Sequence, residues 1–316
     1  MGMLPSEEDR RLIAEAEEWP GYAGLEVNAS AKLAELSRIK GLEYATAVLY
    51  NQLQRRGLRD HLFQRIQSAQ NPMPAEPVVV GLVPGAFHRE HQDTGADGVV
   101  VTGIVNSLGY VVETIPVSSF GALSENASAI ACWLAQHRGR RVALLSLSKG
   151  SADLKKALSL SNASELFRDV TAWVSISGLS QGTPLVGWLR RQRFRRLGVR
   201  LLLALRRQRY SVLEELRHES DGPLAVDPVW PPHLRIIHLV ACPLRRHLAH
   251  RWAPRAYERL APLGPNDGGG VLLGDTLRLP GTVYPVWGAD HYLQPFWEDA
   301  SAFKRVLSVA LGDDDA

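Results

Sequence analysis

This chain contains few cysteines and no long apolar runs. Its 316 residues include two cysteines, Cys132 and Cys242, too few for a disulfide-stapled scaffold. No stretch of about 18 uncharged apolar residues occurs, so a transmembrane helix is not expected. The first residues, MGMLPSEEDRRLIAEAEEW, are acidic and polar, unlike a secretory signal. Together these features predict a cytoplasmic protein.

Acidic residues are missing from one long segment. Residues 190–209 contain nine arginines and no aspartate or glutamate. The chain has a net charge of +3, so removing these nine arginines leaves −6 for the remainder. Two interpretations stay open. The segment either forms a solvated helix face, or its arginines, Arg190–Arg209, contact an anionic membrane surface. No aromatic platform or recognised module accompanies it, so nucleic acid is not an expected partner.

The middle and end of the chain alternate apolar runs with helix-length segments. The β-forming runs are 78–83, 110–115, 142–147, 173–176, 235–241 and 282–286, and helix-length segments include 98–108, 123–137, 151–159 and 300–311. Strands that are apolar on both faces and alternate with helices predict an α/β fold. Its central sheet would be mostly parallel, with helices on both faces.

Other segments fall outside this alternation. Residues 1–76 predict an N-terminal helical extension with breaks at Gly41 and Gly57, ending in a stiff proline-rich connector, Asn71–Pro77. Residues 77–316 form the predicted α/β domain. Within it, residues 182–222 predict one or two inserted helices, and the tail Asp313–Asp315 is expected to be disordered.

The clearest chemical signal follows the third apolar run. Residues 142–160 read VALLSLSKGSADLKKALSL, so a strand leads through Ser148 into a helix. This is the context in which a tight turn exposes a nucleophilic serine. Gly150 matches the last glycine of the G-x-S-x-G pattern, whereas Ser146 replaces the first. The N–H of Lys149, at the start of the helix, would stabilise an oxyanion.

A general base and its acid are predicted near the C-terminus. The last run ends in WGADH (287–291), so His291 lies on a loop from which its imidazole could accept the serine proton. The acid should follow the fifth run. Asp267 is the preferred residue because the order Ser, Asp, His then matches hydrolases with a nucleophile elbow. Asp275 is its competitor, and Asp290 is expected to point elsewhere.

The loop after the first run, GLVPGAFHREH (81–91), is the predicted source of a second oxyanion donor. Gly85 would let the backbone approach the substrate. The donor would be the N–H of Ala86 or of Phe87, with a weak preference for Phe87, whose ring would face the acyl pocket. His88 is expected to be structural or to face the substrate.

Two histidine pairs with i, i+3 spacing were considered as metal ligands. They are His88 with His91 and His247 with His250. Neither pair has a third ligand of clear type or a zincin context. Neither a metal nor another cofactor is therefore expected.

The motifs VPGAF (83–87), SLSKG (146–150), GPNDGG (264–269) and WGADH (287–291) together resemble the α/β-hydrolase superfamily, within it the lipase/esterase-like members. The resemblance covers roughly residues 77–311. It implies an acyl-enzyme on Ser148, with Asp267 and His291 completing a catalytic triad. It also implies that the insert forms a cap over the site, beneath which apolar residues such as Leu185 and Trp188 would bind acyl chains.

These features predict a serine hydrolase that cleaves carboxylic esters. A thioesterase, an amidase or a polyester depolymerase would use the same triad, and a binding protein could keep the fold without activity. The triad chemistry is shared and a fold does not determine its substrate. Acyl preference, lid movement and oligomeric state therefore stay open at this point.

Overall fold

The computed structural model describes residues 5–69 and 77–312. The predicted connector, apart from Pro77, and the predicted disordered tail lie outside these residues. The strands are β1 (Val79–Val83), β2 (Val112–Thr114), β3 (Val142–Leu147), β4 (Val170–Ile176), β5 (Arg235–Cys242) and β6 (Thr282–Trp287). Within the described ranges, no helix has both the length and the apolar character needed to cross a membrane.

The α-helices of the described residues occupy the segments predicted to be helical, and two further helices, at 163–166 and 253–260, were not predicted. They are α1 (Glu7–Glu17), α2 (Ala29–Lys40), α3 (Leu42–Gly57), α4 (His61–Ser68), α5 (Val99–Ser107), α6 (Leu123–Gln136), α7 (Lys149–Leu158), α8 (Ala163–Leu166), α9 (Pro184–Arg191), α10 (Arg193–Leu205), α11 (Ser211–Glu215), α12 (Ala253–Leu260), α13 (Gln294–Glu298) and α14 (Ser301–Leu311). The chain forms two compact units, a central unit within Pro74–Arg235 and a terminal unit within Met1–Met73 and Ile236–Ala316.

The central unit contains four parallel strands in the order β2-β1-β3-β4. Every residue of β1 and β3 is buried, as expected for strands that are covered on both faces. The register pairs Val83 with Ser146 and Ser146 with Ser175. Because the strands are parallel, the loops that follow β1, β3 and β4 leave the sheet at the same edge.

The insert of the central unit forms the helices α9, α10 and α11, three instead of the predicted one or two. Thr183 begins α9 by accepting the N–H of Leu185 with its side chain, as an N-cap residue does. Val186 of α9 is buried against Leu123 of α6 and Ala152 of α7. The insert is therefore packed on the helix that follows the predicted nucleophile.

The terminal unit joins the N-terminal helices to the last two strands. Strands β5 and β6 pair in parallel, from Ile237 opposite Thr282 to Cys242 opposite Trp287. Helices α1, α2 and α3 pack together, and α3 contacts β6. Buried leucines of α2 and α3 lie in one hydrophobic core with residues of β5 and β6. The predicted extension thus shares a core with these strands, and the domain boundary after residue 76 stays a prediction.

The two glycines predicted as helix breaks have this effect for different reasons. Helix α2 ends before Gly41, whose φ of 94° is unfavourable for residues with a side chain. Helix α3 ends at Gly57, where an added Cβ would lie 2.6 Å from the ring of Phe63. Both breaks are confirmed.

Candidate active site

Ser148 lies on a sharp turn between β3 and α7. Its backbone has φ 47° and ψ −114°, a combination that few residues other than glycine adopt. The turn is held by two hydrogen bonds: the Ser148 N–H donates to the Ile176 carbonyl at 3.0 Å, and the Leu179 N–H donates to the Ser148 carbonyl at 2.9 Å. The Ser148 side chain is half-buried, as a nucleophile that must meet a substrate requires.

The residues around this turn are small because the backbone approaches closely. A Cβ added at Gly150 would lie 2.5 Å from the carbonyl oxygen of Val83 and 2.7 Å from that of Pro84. Ser146, which replaces the first glycine of the pattern, is fully buried. Its hydroxyl accepts a hydrogen bond from Trp173 Nε1 at 2.7 Å and lies 2.8 Å from Ser151 Oγ. The departure from the pattern is thus accommodated by a hydrogen-bonded side chain.

Lys149 contributes its backbone to this turn and buries its side chain in the interior. Its ammonium donates to Asp153 Oδ1 at 2.6 Å, one helical turn further on, with both side chains almost fully buried. Asn126 of α6 donates to the other oxygen of Asp153 and accepts the Ser118 N–H. Burial raises the pKa of Asp153, although Lys149 and Asn126 act in the opposite direction. The pair therefore connects α7 to the segment around Ser118.

The loop after β1 lies against Ser148. A Cβ added at Gly85 would be 3.5 Å from Ser148 Cβ and 3.3 Å from the Leu147 carbonyl oxygen, so glycine permits this approach. The Phe87 N–H donates to the Ser119 carbonyl at 2.9 Å. This hydrogen bond already uses the N–H that was preferred as the second oxyanion donor. The Ala86 N–H makes no hydrogen bond among the described residues and stays the other predicted donor.

The predicted substrate contacts fall on two segments of the central unit. His88 Nδ1 lies 3.0 Å from the Gly85 carbonyl oxygen, so the His88 side chain forms a hydrogen bond within its own loop. Leu185 and Trp188 are half-buried on α9. The ring of Phe87 stacks on Phe120, with centroids 4.5 Å apart. Substrate contact by Gly85, His88, Leu185 and Trp188 stays a prediction.

In the terminal unit, Asp267 and His291 form a buried pair. The ring nitrogen Nδ1 of His291 lies 2.5 Å from Asp267 Oδ2. In addition, the backbone N–H of His291 donates to the backbone carbonyl of Asp267 at 2.7 Å. The other carboxylate oxygen, Oδ1, accepts N–H groups of Gly269, Gly270 and Val271, each at 2.9 Å. A carboxylate partner assigns the proton to Nδ1 and makes Nε2 the basic nitrogen of the ring.

The protonation equilibrium of His291 is set by opposing effects. Burial alone would lower the pKa of the imidazole because it disfavours the charged form. The charge of Asp267, its hydrogen bond and the charge of Asp290 outweigh burial and raise the pKa of His291 above its ordinary value. The pair therefore stabilises the imidazolium that forms when a general base takes up a proton.

Gly269 is a constraint on this pair that the sequence analysis missed. A Cβ added there would lie 2.0 Å from His291 Cγ and 2.3 Å from His291 Cβ. The imidazole ring thus packs directly on the Gly269 backbone. The last glycine of GPNDGG (264–269) therefore makes room for the ring.

The two competing aspartates have structural partners. Asp290 is fully buried, and its carboxylate accepts the N–H groups of Ala249, His250 and Tyr292. It therefore fixes the loop that carries His291 through backbone contacts, and its charge also acts on the imidazole. Asp275 accepts the Ser30 hydroxyl of α2 at 2.6 Å and thus contacts the N-terminal helices.

The histidine pairs considered as metal ligands have other contacts. His247 accepts the Leu244 N–H through Nδ1 and approaches Asp9 of α1 through Nε2. His250 stacks on Tyr292, with centroids 3.9 Å apart. The part of the chain that the structure describes contains no group of three or more His, Cys, Asp or Glu side chains arranged to hold a metal.

The chain is similar to solved structures of esterases and lipases. A metagenomic carboxyl esterase, MGS0156, has a TM-score of 0.55 and 19% identity over 77% of each chain. The mature lipase BlEst2 of Bacillus licheniformis has a TM-score of 0.52 and 18% identity, over 73% of this chain and 91% of the lipase. Its propeptide form has a TM-score of 0.51 and 17% identity, over 78% of this chain and 52% of that one. No family model matches the chain, and no curated protein does.

At this level of identity the likeness shows the fold alone. The predicted α/β-hydrolase fold, with its mostly parallel strands, is confirmed. The predicted site residues fall into two groups. Ser148, Lys149 and the loop after β1 lie together in the central unit, and Asp267 and His291 lie together in the terminal unit.

The Asp267–His291 pair predicts a titration that NMR can follow. In the wild-type protein the imidazole of His291 should titrate above about 6.5, the usual histidine pKa. In Asp267→Asn the opposing charge is removed while burial remains, so the pKa should fall. Asp275→Asn is the control and should leave it unchanged. A His291 pKa that responds to Asp275→Asn and not to Asp267→Asn would show that the acid was wrongly assigned.

The contact of Gly269 with the imidazole predicts a local effect of one methyl group. Gly269→Ala should displace His291 and weaken its hydrogen bond to Asp267, so the Nδ1 proton resonance should weaken or move upfield. Gly103→Ala is a matched control because a Cβ there meets no atom within 4 Å. Circular dichroism verifies that both variants are folded. An unchanged resonance in Gly269→Ala would contradict the packing described.

Proposed function

We propose that this protein is a serine hydrolase that cleaves carboxylic esters through an acyl-enzyme on Ser148. The observation that carries the proposal is the strained backbone of Ser148 at the turn from β3 into α7. Such strain costs about 1–3 kcal/mol and persists where the surroundings enforce it, often at active sites. The similar structures of a carboxyl esterase and a lipase support the same reaction class.

In the proposed reaction, Ser148 Oγ attacks the ester carbonyl carbon while His291 Nε2 accepts the serine proton. Asp267 holds the imidazole in the required tautomer and stabilises its cation. The tetrahedral oxyanion accepts hydrogen bonds from the N–H groups of Ala86 and Lys149. Collapse of the intermediate breaks the bond to the alcohol, which leaves with the proton from His291.

The second half of the proposed reaction repeats the same steps with water. His291 accepts a proton from the water molecule, whose oxygen attacks the acyl carbon. The same two N–H groups stabilise the second oxyanion. The intermediate expels Ser148 Oγ, which recovers its proton from His291, and the carboxylic acid is released.

The remaining parts of the proposal concern the substrate and the setting. Gly85, His88, Leu185 and Trp188 are proposed to line the acyl side of the site. Within the described residues, Cys132 and Cys242 are unpaired, which supports a reducing, cytoplasmic location. The arginines of residues 190–209 are proposed to contact an anionic membrane surface.

Thioesters, amides and polyesters are the alternative substrates, because the same triad can act on each of them. A binding protein without activity is the alternative from a different class. The buried hydrogen bond of His291 with Asp267 and the strain at Ser148 favour an enzyme, because strained backbones and perturbed titratable pairs cluster at active sites. Carboxylic esters are preferred because both similar structures named above carry that activity in their names.

Hydrolysis of p-nitrophenyl esters of increasing acyl length tests the proposal. The wild-type protein should release p-nitrophenol, and Ser148→Ala should lose turnover by a factor of about 10³ or more. Ser128→Ala, at an exposed serine of α6, is the matched control and should retain full activity. Parallel assays with a thioester and an anilide decide between the substrate classes. Appreciable turnover by Ser148→Ala would remove this serine from the mechanism.

A further inference from the structure

Helix α10 exposes a row of large apolar side chains. Phe194, Leu197, Leu201 and Leu205 are 92%, 67%, 62% and 76% exposed. Their spacing of three, four and four residues puts them on one face of the helix. Contiguous exposed apolar surface of this kind is uncommon and marks a contact site. We call these four residues the outer stripe.

The opposite face of α10 attaches the helix to the central unit. Leu203 is buried in a small core with Phe120, Ala122 and Val212, and Val199 packs against it. Phe87 of the oxyanion loop contacts the same core. The inner face therefore has its own partners, and the packing of α10 directs the outer stripe toward solvent.

Arginines flank the outer stripe on both sides. At about 100° per residue, Arg193 and Arg200 border one edge of the stripe. On the other side, Arg195 and Arg206 lie beyond the partly exposed Leu202. Arg200 lies over the ring of Tyr210 and Arg195 over that of Trp188, at 4.7 Å and 5.2 Å from the ring centroids. These cations are therefore held beside the stripe.

Most of this positive charge is not neutralised by the protein. Of the arginines in residues 190–209, those with an acidic partner in the described structure are Arg190, with Glu214 and Glu219, and Arg209, with Glu125. The four arginines that flank the outer stripe have none among the described residues. The surface thus combines apolar side chains with uncompensated cations.

We propose that α10 anchors the protein in the plane of an anionic lipid bilayer. The outer stripe enters the boundary between headgroups and acyl chains, and the flanking arginines bind the lipid phosphates and carboxylates. The helix has 13 residues, too few to span a bilayer, so it lies parallel to the surface. This assigns the apolar residues of α10 to an external contact, whereas the sequence reading placed apolar residues beneath a cap.

A bilayer fits this surface better than a second copy of the chain. A symmetric dimer through α10 would bring the uncompensated arginines of both copies together, and like charges oppose such an interface. An anionic bilayer satisfies both features at once, because it accepts apolar side chains and attracts cations. The anchor does not depend on the proposed hydrolysis, since no residue of the outer stripe belongs to the triad.

Flotation with lipid vesicles tests the anchor in the full-length protein. We expect binding to phosphatidylcholine vesicles that contain about 30% phosphatidylserine, and weak or no binding to pure phosphatidylcholine. Binding should weaken as salt is added, because salt screens the arginines. Ser148→Ala should bind like the wild type, so a failure of catalysis and a failure of anchoring can be told apart.

Two double variants separate the apolar and the electrostatic contributions. Leu197→Gln with Leu201→Gln should lower the partition coefficient about tenfold or more at unchanged charge. Arg193→Gln with Arg200→Gln should weaken binding and reduce its salt dependence. Val226→Gln with Val229→Gln is the matched control, because both valines are exposed in the same unit but lie outside α10.

Three results would overturn the proposal: equal binding to both kinds of vesicle, an unaffected Leu197→Gln/Leu201→Gln variant, or no binding by the folded wild type. Analytical ultracentrifugation adds a further check. A concentration-dependent dimer that dissociates in Leu197→Gln/Leu201→Gln, together with no vesicle binding, would identify the outer stripe as an interface between copies. Circular dichroism establishes that each variant is folded before its binding is compared.

Discussion

The backbone of Ser148 is the constraint on which the central unit depends. A serine at φ 47° and ψ −114° has a strained backbone. The surrounding structure must therefore stabilise this conformation. The parallel neighbour β4 provides the Ile176 carbonyl for the Ser148 N–H. Gly150 allows α7 to start beside the end of β1. The sheet register, the glycine and the start of α7 therefore act together to present one side chain.

A comparable constraint operates in the terminal unit, where a charged pair is buried. An isolated buried carboxylate would be strongly unfavourable, but Asp267 accepts three backbone N–H groups on one oxygen and His291 on the other. Gly269 provides one of those N–H groups and the space for the imidazole. This short glycine-rich loop thus provides hydrogen bonds to the Asp267 carboxylate and space for the His291 imidazole.

The sequence was sufficient for the features that depend on local pattern. Continuous apolar runs predicted all six strands, and the strand–serine–helix context identified Ser148 at the turn where the strain is found. Asp267 and Asp275 both satisfy the order Ser, Asp, His, and it is the contact of Asp267 with His291 in the folded chain that favours Asp267. The strand positions are confirmed because each depended on residues close in sequence, whereas the catalytic roles of Ser148 and Asp267 stay predictions.

The features that the sequence did not predict depend on contacts between distant residues. The Phe87 N–H donates to the Ser119 carbonyl, 32 residues further on, so the choice between Phe87 and Ala86 as oxyanion donor, which stays a prediction, depends on a distant contact. The direction of α10 follows from packing against Phe120 and Val212, which helical periodicity alone cannot reveal. Position 269 requires glycine because the imidazole of His291 packs directly on its backbone. In each case the partner could be identified only after the chain was folded.

The most direct test of the account is whether Ser148 is an activated nucleophile. The purified protein would be treated with a fluorophosphonate and the modified peptide mapped by mass spectrometry. The account predicts a single label on Ser148, with a labelling rate that falls sharply in Asp267→Asn and rises with pH as His291 loses its proton. Folded protein that takes up no label, or that is labelled on another serine, would contradict it.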